Sequence, residues 1–138
     1  MSQPAGQSGP VETMLESDAA LRMFGIELVD YGDGWARAQM TVRNDMVNGH
    51  GICHGGVIFA LADTTFAYAC NSWGPVTVAA GAEIAFIAPG RSGDLLIAEA
   101  RVRARYGRSG IYDVTVSRGK ELVAEFRGRS HEMRERRP

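Results

Sequence analysis

The segment Val57–Cys70 reads Val-Ile-Phe-Ala-Leu-Ala-Asp-Thr-Thr-Phe-Ala-Tyr-Ala-Cys and is apolar on almost every side. A helix of this kind has no polar face to give to water, so it must be buried all round. It falls short of the ~20 apolar residues that a membrane span needs, and strand signals flank it. The chain must therefore wrap something around it. One carboxylate, Asp63, stands in its middle. Burying an unpaired charge costs several kcal/mol. Asp63 must hydrogen-bond a neighbour such as Thr64 or the backbone, lie at an interface, or do chemistry.

The wrapping material is legible on both sides. Val11–Phe24 has helical spacing, with Met14, Leu15, Leu21 and Phe24 on one stripe, and Gly25 ends it. Ile26–Asp30 reads as a strand and Gly32-Asp33-Gly34 as a turn. Trp35–Val42 alternates, with Ala36, Ala38, Met40 and Val42 inward. After the buried helix, Val76–Ile87 alternates with Val78, Ala80, Ala82, Ile84 and Phe86 on one face, and Pro89-Gly90 breaks it. Leu95–Arg105 places Leu96, Ala98, Ala100, Val102 and Ala104 inward and its arginines outward. Gly107–Gly110 turns into Ile111–Ser117, and Arg118-Gly119-Lys120 turns into Leu122–His131. The order is helix, two strands, buried helix, four strands. Hairpin connections imply an antiparallel sheet. The expected class is α+β, a sheet curved around one helix in two layers.

The length of 138 residues suits one domain. We expect it over 11–133, between a disordered N-terminal tail, 1–10, and a solvated C-terminal tail, 134–138. The formal net charge of -1 gives no global field for nucleic acid or membranes. Residues 1–10 have neither the cationic start nor the apolar stretch of a signal peptide. Cys53 and Cys70 make no disulfide framework, which fits a reduced, cytoplasmic protein.

Asn44–Gly56 has no period and is rich in glycine, so it is a loop just before the buried helix, a common place for a site. Gly55-Gly56 falls at the expected start of that helix, where free N–H groups carry partial positive charge. Without side chains there, a substrate carbonyl can approach the backbone closely, as an oxyanion hole requires. A tight turn would use the same residues. His50, Cys53 and His54 lack a fourth metal ligand and match no zinc spacing. Cys53 reads more readily as a small apolar filler than as a nucleophile paired with His50, and His54 as a polar wall or helix-start residue. No serine elbow, phosphate loop or dinucleotide fingerprint is present.

The pattern Asn48-Gly49-His50 … Cys53-His54-Gly55-Gly56 … Leu61-Ala62-Asp63-Thr64 resembles the hotdog-fold thioesterases, most closely the phenylacetic acid degradation thioesterase group. Leu61–Asn71 is similar to that group's central helix almost residue for residue. Phe86 … Pro89-Gly90, Gly110-Ile111-Tyr112-Asp113 and Phe126-Arg127-Gly128 extend the likeness over Met14 to His131. The resemblance implies a hotdog fold, a six-stranded antiparallel sheet around one long helix, with chains paired into homodimers and those into homotetramers. It implies an acyl-CoA substrate whose acyl part is phenylacetyl or a hydroxylated relative, and no metal or organic cofactor. Asp63 matches the catalytic carboxylate, and Gly55 the residue whose N–H polarises the thioester carbonyl. Asn48 and His54 match polar residues around the thioester, and Thr64 the residue after the acid.

Asp63 either activates a water or attacks the carbonyl itself. Because CoA carries phosphates, Arg108, Ser109 and Gly110 in one turn are candidate substrate-binding residues, with Arg91 beside Pro89-Gly90 as another. Two rivals are a hotdog hydratase or dehydratase and a non-catalytic acyl-CoA binding protein. The first usually pairs a histidine with the acid on the reacting helix, and none stands beside Asp63. The second gains nothing from a buried unpaired acid.

Overall fold

A computed structural model describes residues 9–133. The two expected tails fall largely outside the described residues, except that Pro10 opens the first helix. That helix is α1 (Pro10–Ser17), followed by α2 (Ala19–Phe24). The strands are β1 (Glu27–Gly32), β2 (Trp35–Thr41), β3 (Thr77–Phe86), β4 (Leu95–Tyr106), β5 (Ser109–Arg118) and β6 (Glu121–Glu132). Between β2 and β3 lie a short 3-10 turn at Asn44–Met46 and the long helix α3 (Gly55–Asn71). The strands form one six-stranded sheet in the order β1-β2-β4-β5-β6-β3, every neighbouring pair antiparallel. This is the hotdog architecture, with α3 lying in the curve of the sheet. Among the described residues no helix is long and apolar enough to cross a membrane.

The alternating residues read in β2 and β4 make the floor under α3. Ala36, Ala38, Leu96, Ala98 and Ala100 are buried, and so are Leu61, Ala62, Phe66 and Tyr68 above them. Small residues in the floor let the helix approach closely. Gly128 of β6 shows how tight the fit is. A β-carbon there would stand 2.7 Å from the Phe66 ring, so this strand position carries no side chain. Phe66 then packs against Tyr112 and Phe126 at centroid separations of 5.6 and 5.7 Å.

Three local expectations differ. The single helix over Val11–Phe24 is two helices, because Asp18 leaves helical geometry at ψ 85°. Its carboxylate accepts the Leu21 N–H at 3.0 Å, capping α2, and the Tyr68 hydroxyl at 2.9 Å. In β3 a register shift between Ala79 and Gly81 changes the phase of the alternation. Thr77 is buried instead of Val78, which is 44% exposed at this sheet edge. In β4 a second shift, between Val102 and Ala104, leaves Ala104 exposed rather than inward.

Candidate active site

The glycine-rich loop before α3 is ordered by its own side chains. The Asn48 carboxamide oxygen accepts the N–H groups of His50 at 2.9 Å and Ile52 at 3.3 Å. The Asn48 N–H reaches the Ile52 carbonyl at 2.8 Å, and Gly51 turns the chain at φ 77°. Its amide oxygen thus committed, Asn48 keeps an NH₂ group with no partner among the described residues. Cys53 and His54 then fasten the loop end to Gly90 and Met46 through backbone hydrogen bonds of 2.7 and 2.8 Å.

His54 is the N-cap of α3. Its ring Nδ1 accepts the Gly56 N–H at 3.0 Å, and its carbonyl accepts the N–H groups of Val57 and Ile58. The Gly55 N–H makes no hydrogen bond among the described residues. It sits at the positive end of a seventeen-residue helix. Asn48, Gly55 and Phe86 line a cavity of about 350 Å³ there. Of the two places expected for His54, a polar wall and the helix start, it takes the helix start.

Asp63 faces a different cavity of the same chain, about 560 Å³, shared with Phe66, Ala67 and Cys70 of α3. It makes no hydrogen bond to Thr64 or to any other described residue. Burial pushes its carboxyl above the usual value of 3.8. The cysteines are poor nucleophiles. Burial raises the Cys53 thiol to about 11 and the Cys70 thiol to about 12, and Cys53 is only 3% exposed. Among the described residues no three His, Cys, Asp or Glu side chains gather as a metal site.

Not every candidate joins these cavities. Arg108, Ser109 and Gly110 lie at the β4–β5 turn and line neither. The Ser109 hydroxyl is 3.5 Å from His131 Nδ1, and Gly110 is buried against Tyr112 and Ser130. Arg91 is exposed, its N–H bonded to Asp94 at 2.8 Å. Two contributors escaped the sequence reading as site residues. Phe86 stands over Gly55, and α1 walls the Asp63 cavity. The helical stripe of α1 was a usable signal for the second, whereas nothing in the sequence ties Phe86 to Gly55.

An asymmetry of charge follows. A free N–H donor at a helix start can stabilise an oxyanion, and an unpaired, partly desolvated carboxylate can act as base or nucleophile. One chain holds them in separate cavities.

Comparison with known proteins bears on the chemistry. Residues 50–125 match the family described as the thioesterase superfamily. The acyl-coenzyme A thioesterase PaaI of Escherichia coli is 46% identical over 132 residues, 95% of this chain and 93% of that protein. The structure of the E. coli PaaI protein from the phenylacetic acid degradation operon superposes with a TM-score of 0.87 at 45% identity, covering 88% of this chain and 89% of the other. A Streptococcus mutans protein whose structure holds acetyl CoA matches with a TM-score of 0.76 at 26% identity, covering 81% and 91%.

Proposed function

The chain belongs to the thioesterase superfamily and is an acyl-CoA thioesterase; we propose that it hydrolyses phenylacetyl-CoA or a ring-hydroxylated relative, with Asp63 and the Gly55 N–H as its catalytic groups. The observation that carries the assignment is the state of the first two α3 amides. His54 consumes the Gly56 N–H, and among the described residues the Gly55 N–H and the NH₂ of Asn48, which line one cavity, have no partner. The thioester carbonyl oxygen becomes an oxyanion when the carbon is attacked, and a donor of this kind typically contributes about 10²–10³ in rate.

The Asp63 carboxylate takes a proton from water as that water adds to the carbonyl carbon. Collapse breaks the C–S bond and releases CoA thiolate and the free acid. Burial raises the Asp63 carboxyl, which makes it a stronger base than an exposed aspartate. Single turnover in ¹⁸O-water tests the water route, which an unlabelled first acid would overturn. Water attack puts label into the first acid released. A mixed anhydride opened at the Asp63 carboxyl carbon leaves that acid unlabelled.

The cavity beside Asp63 takes the acyl group, because aromatic and aliphatic side chains dominate it. The Arg108–Gly110 turn is offered to the phosphate end of CoA. One catalytic domain spans 11–133 and works in the cytoplasm as a homodimer paired into a homotetramer, with Gly55 and Asp63 of each site supplied by different subunits. Thiol release from a panel of acyl-CoAs tests the substrate. Aromatic acetyl thioesters should turn over at least tenfold faster than acetyl-, hexanoyl- or palmitoyl-CoA, a margin within the reach of pocket selectivity. Equal rates across the panel would remove the aromatic assignment. CoA affinity without turnover would mark a binding protein instead.

A further inference from the structure

Helix α1 takes no part in the chemistry above, yet Pro10, Thr13 and Met14 line the Asp63 cavity. Their spacing puts them on one helical stripe. Eight residues make a helix with little stability of its own, so its position depends on anchors. It has three. Val11, on the adjoining flank, is 2% exposed in the core. The Glu12 carboxylate accepts the Gly9 N–H at 2.8 Å and the Tyr31 hydroxyl of β1. At the far end Asp18 accepts the hydroxyl of Tyr68, a fully buried α3 residue. So held, α1 is a fixed wall.

The polar side chains around the cavity are mostly spent. The Asn71 carboxamide bonds the Ala67 carbonyl and both backbone groups of Thr77, and the Thr77 hydroxyl donates to the Pro75 carbonyl. The Thr13 hydroxyl has no hydrogen bond among the described residues. No Arg or Lys lines the cavity among them, so nothing there pairs with an anionic acyl group. Apart from Asp63, Thr13 is the side chain left to meet a polar substituent, and Met14 is a flexible apolar stop.

We infer that α1 is the selectivity wall of the acyl pocket, with Met14 limiting the size of the acyl group and Thr13 hydrogen-bonding a polar substituent on it. This rests on reading Asp63 as the catalytic carboxylate. The test compares kcat/KM for phenylacetyl-CoA, its 3- and 4-hydroxy derivatives, and hexanoyl- to dodecanoyl-CoA. Thr13→Val keeps the shape and removes the hydroxyl. The ratio of at least one hydroxylated substrate to phenylacetyl-CoA should fall about five- to twentyfold. Met14→Ala should move the preference toward longer acyl chains by about tenfold, and Met14→Trp toward shorter ones. Ratios within twofold of wild type for all three variants would overturn the wall. Should wild type prefer aliphatic thioesters, the proposed substrate is wrong, and the two Met14 profiles alone then uphold or overturn it.

Discussion

The Phe86 ring stands over Gly55 so closely that a β-carbon on that glycine would lie 3.0 Å from its Cζ. The glycine therefore admits the ring. Phe86 is 54% exposed and can give way. Gly55→Ala should fold, keep its N–H and push the ring into the cavity it shares with Asn48. A misplacement of about 1 Å can cost about 100-fold, and this smaller shift should lower kcat by up to about 10-fold. Gly55→Pro removes the donor itself. The position is the first of α3, where proline suits the helix, and His54 before it is already extended at φ -60°, ψ 134°. Its kcat should fall further, by about 10²–10³ relative to wild type. If the two variants lose equally, shape and not the N–H explains Gly55.

Much of this was readable, for identifiable reasons. Val57–Cys70 had no polar face except at Asp63, so burial and the odd acid followed together. Ala36, Ala38 and Met40 alternated without interruption, and all three are buried. The break at Asp18 was not readable from spacing. It comes from a carboxylate that caps α2 and meets Tyr68, fifty positions away. The phase of β3 was lost for a similar reason, since the shift between Ala79 and Gly81 answers to pairing with β6. The sequence also put Gly55 and Asp63 near each other along the chain. Their opening into different cavities is a three-dimensional fact.

Asp63→Asn should lower kcat by about two to four orders of magnitude while keeping the fold. Its effect on stability runs the other way. Burial raises the folded carboxyl above 3.8. The folded state therefore gains from this group at low pH and loses that gain as pH rises through the raised value. At pH 7 the wild type bears a half-buried charge that asparagine lacks. The variant should melt higher at pH 7, and the difference should shrink as pH falls toward 3.8. The acid limb of wild-type kcat/KM should also lie above that of an exposed aspartate. A variant that melts lower at pH 7 would show that Asp63 has a stabilising partner.

His54 holds the helix start in place. Its ring holds the Gly56 N–H and its backbone the next turn. His54→Ala should cost about 1 kcal/mol as a lost cap. It should also lower kcat, because the Gly55 N–H loses its fixed aim. Asparagine, a good cap without an imidazole, should recover the melting temperature and most of kcat. Recovery of stability with kcat still at the alanine level would instead assign the ring a direct role in proton transfer.

With Gly55 and Asp63 in their proposed roles, their separation predicts that each active site draws on two chains. They are eight residues apart on one helix. At about 100° and 1.5 Å per residue, Asp63 is turned roughly 80° from Gly55 and lies ~12 Å along the axis. A carbonyl needs its donor within about 3 Å and its acid close by. On one chain the two groups also open into different cavities. Two α3 helices packed antiparallel across a two-fold axis bring the Gly55 end of one to the Asp63 middle of the other. The exposed Val76 and Val78 at the β3 edge fit burial against a second copy. Subunit complementation checks this. Asp63→Asn and Gly55→Pro proteins, each nearly inactive, are mixed under mild dissociating conditions and allowed to reassociate. A hybrid dimer then holds one site with both defects and one with neither. Activity should return to roughly a quarter of wild type, since half the dimers are hybrids with one intact site each. If both groups came from the same chain, every site would keep one defect and the mixture would stay inactive, ending the shared-site reading.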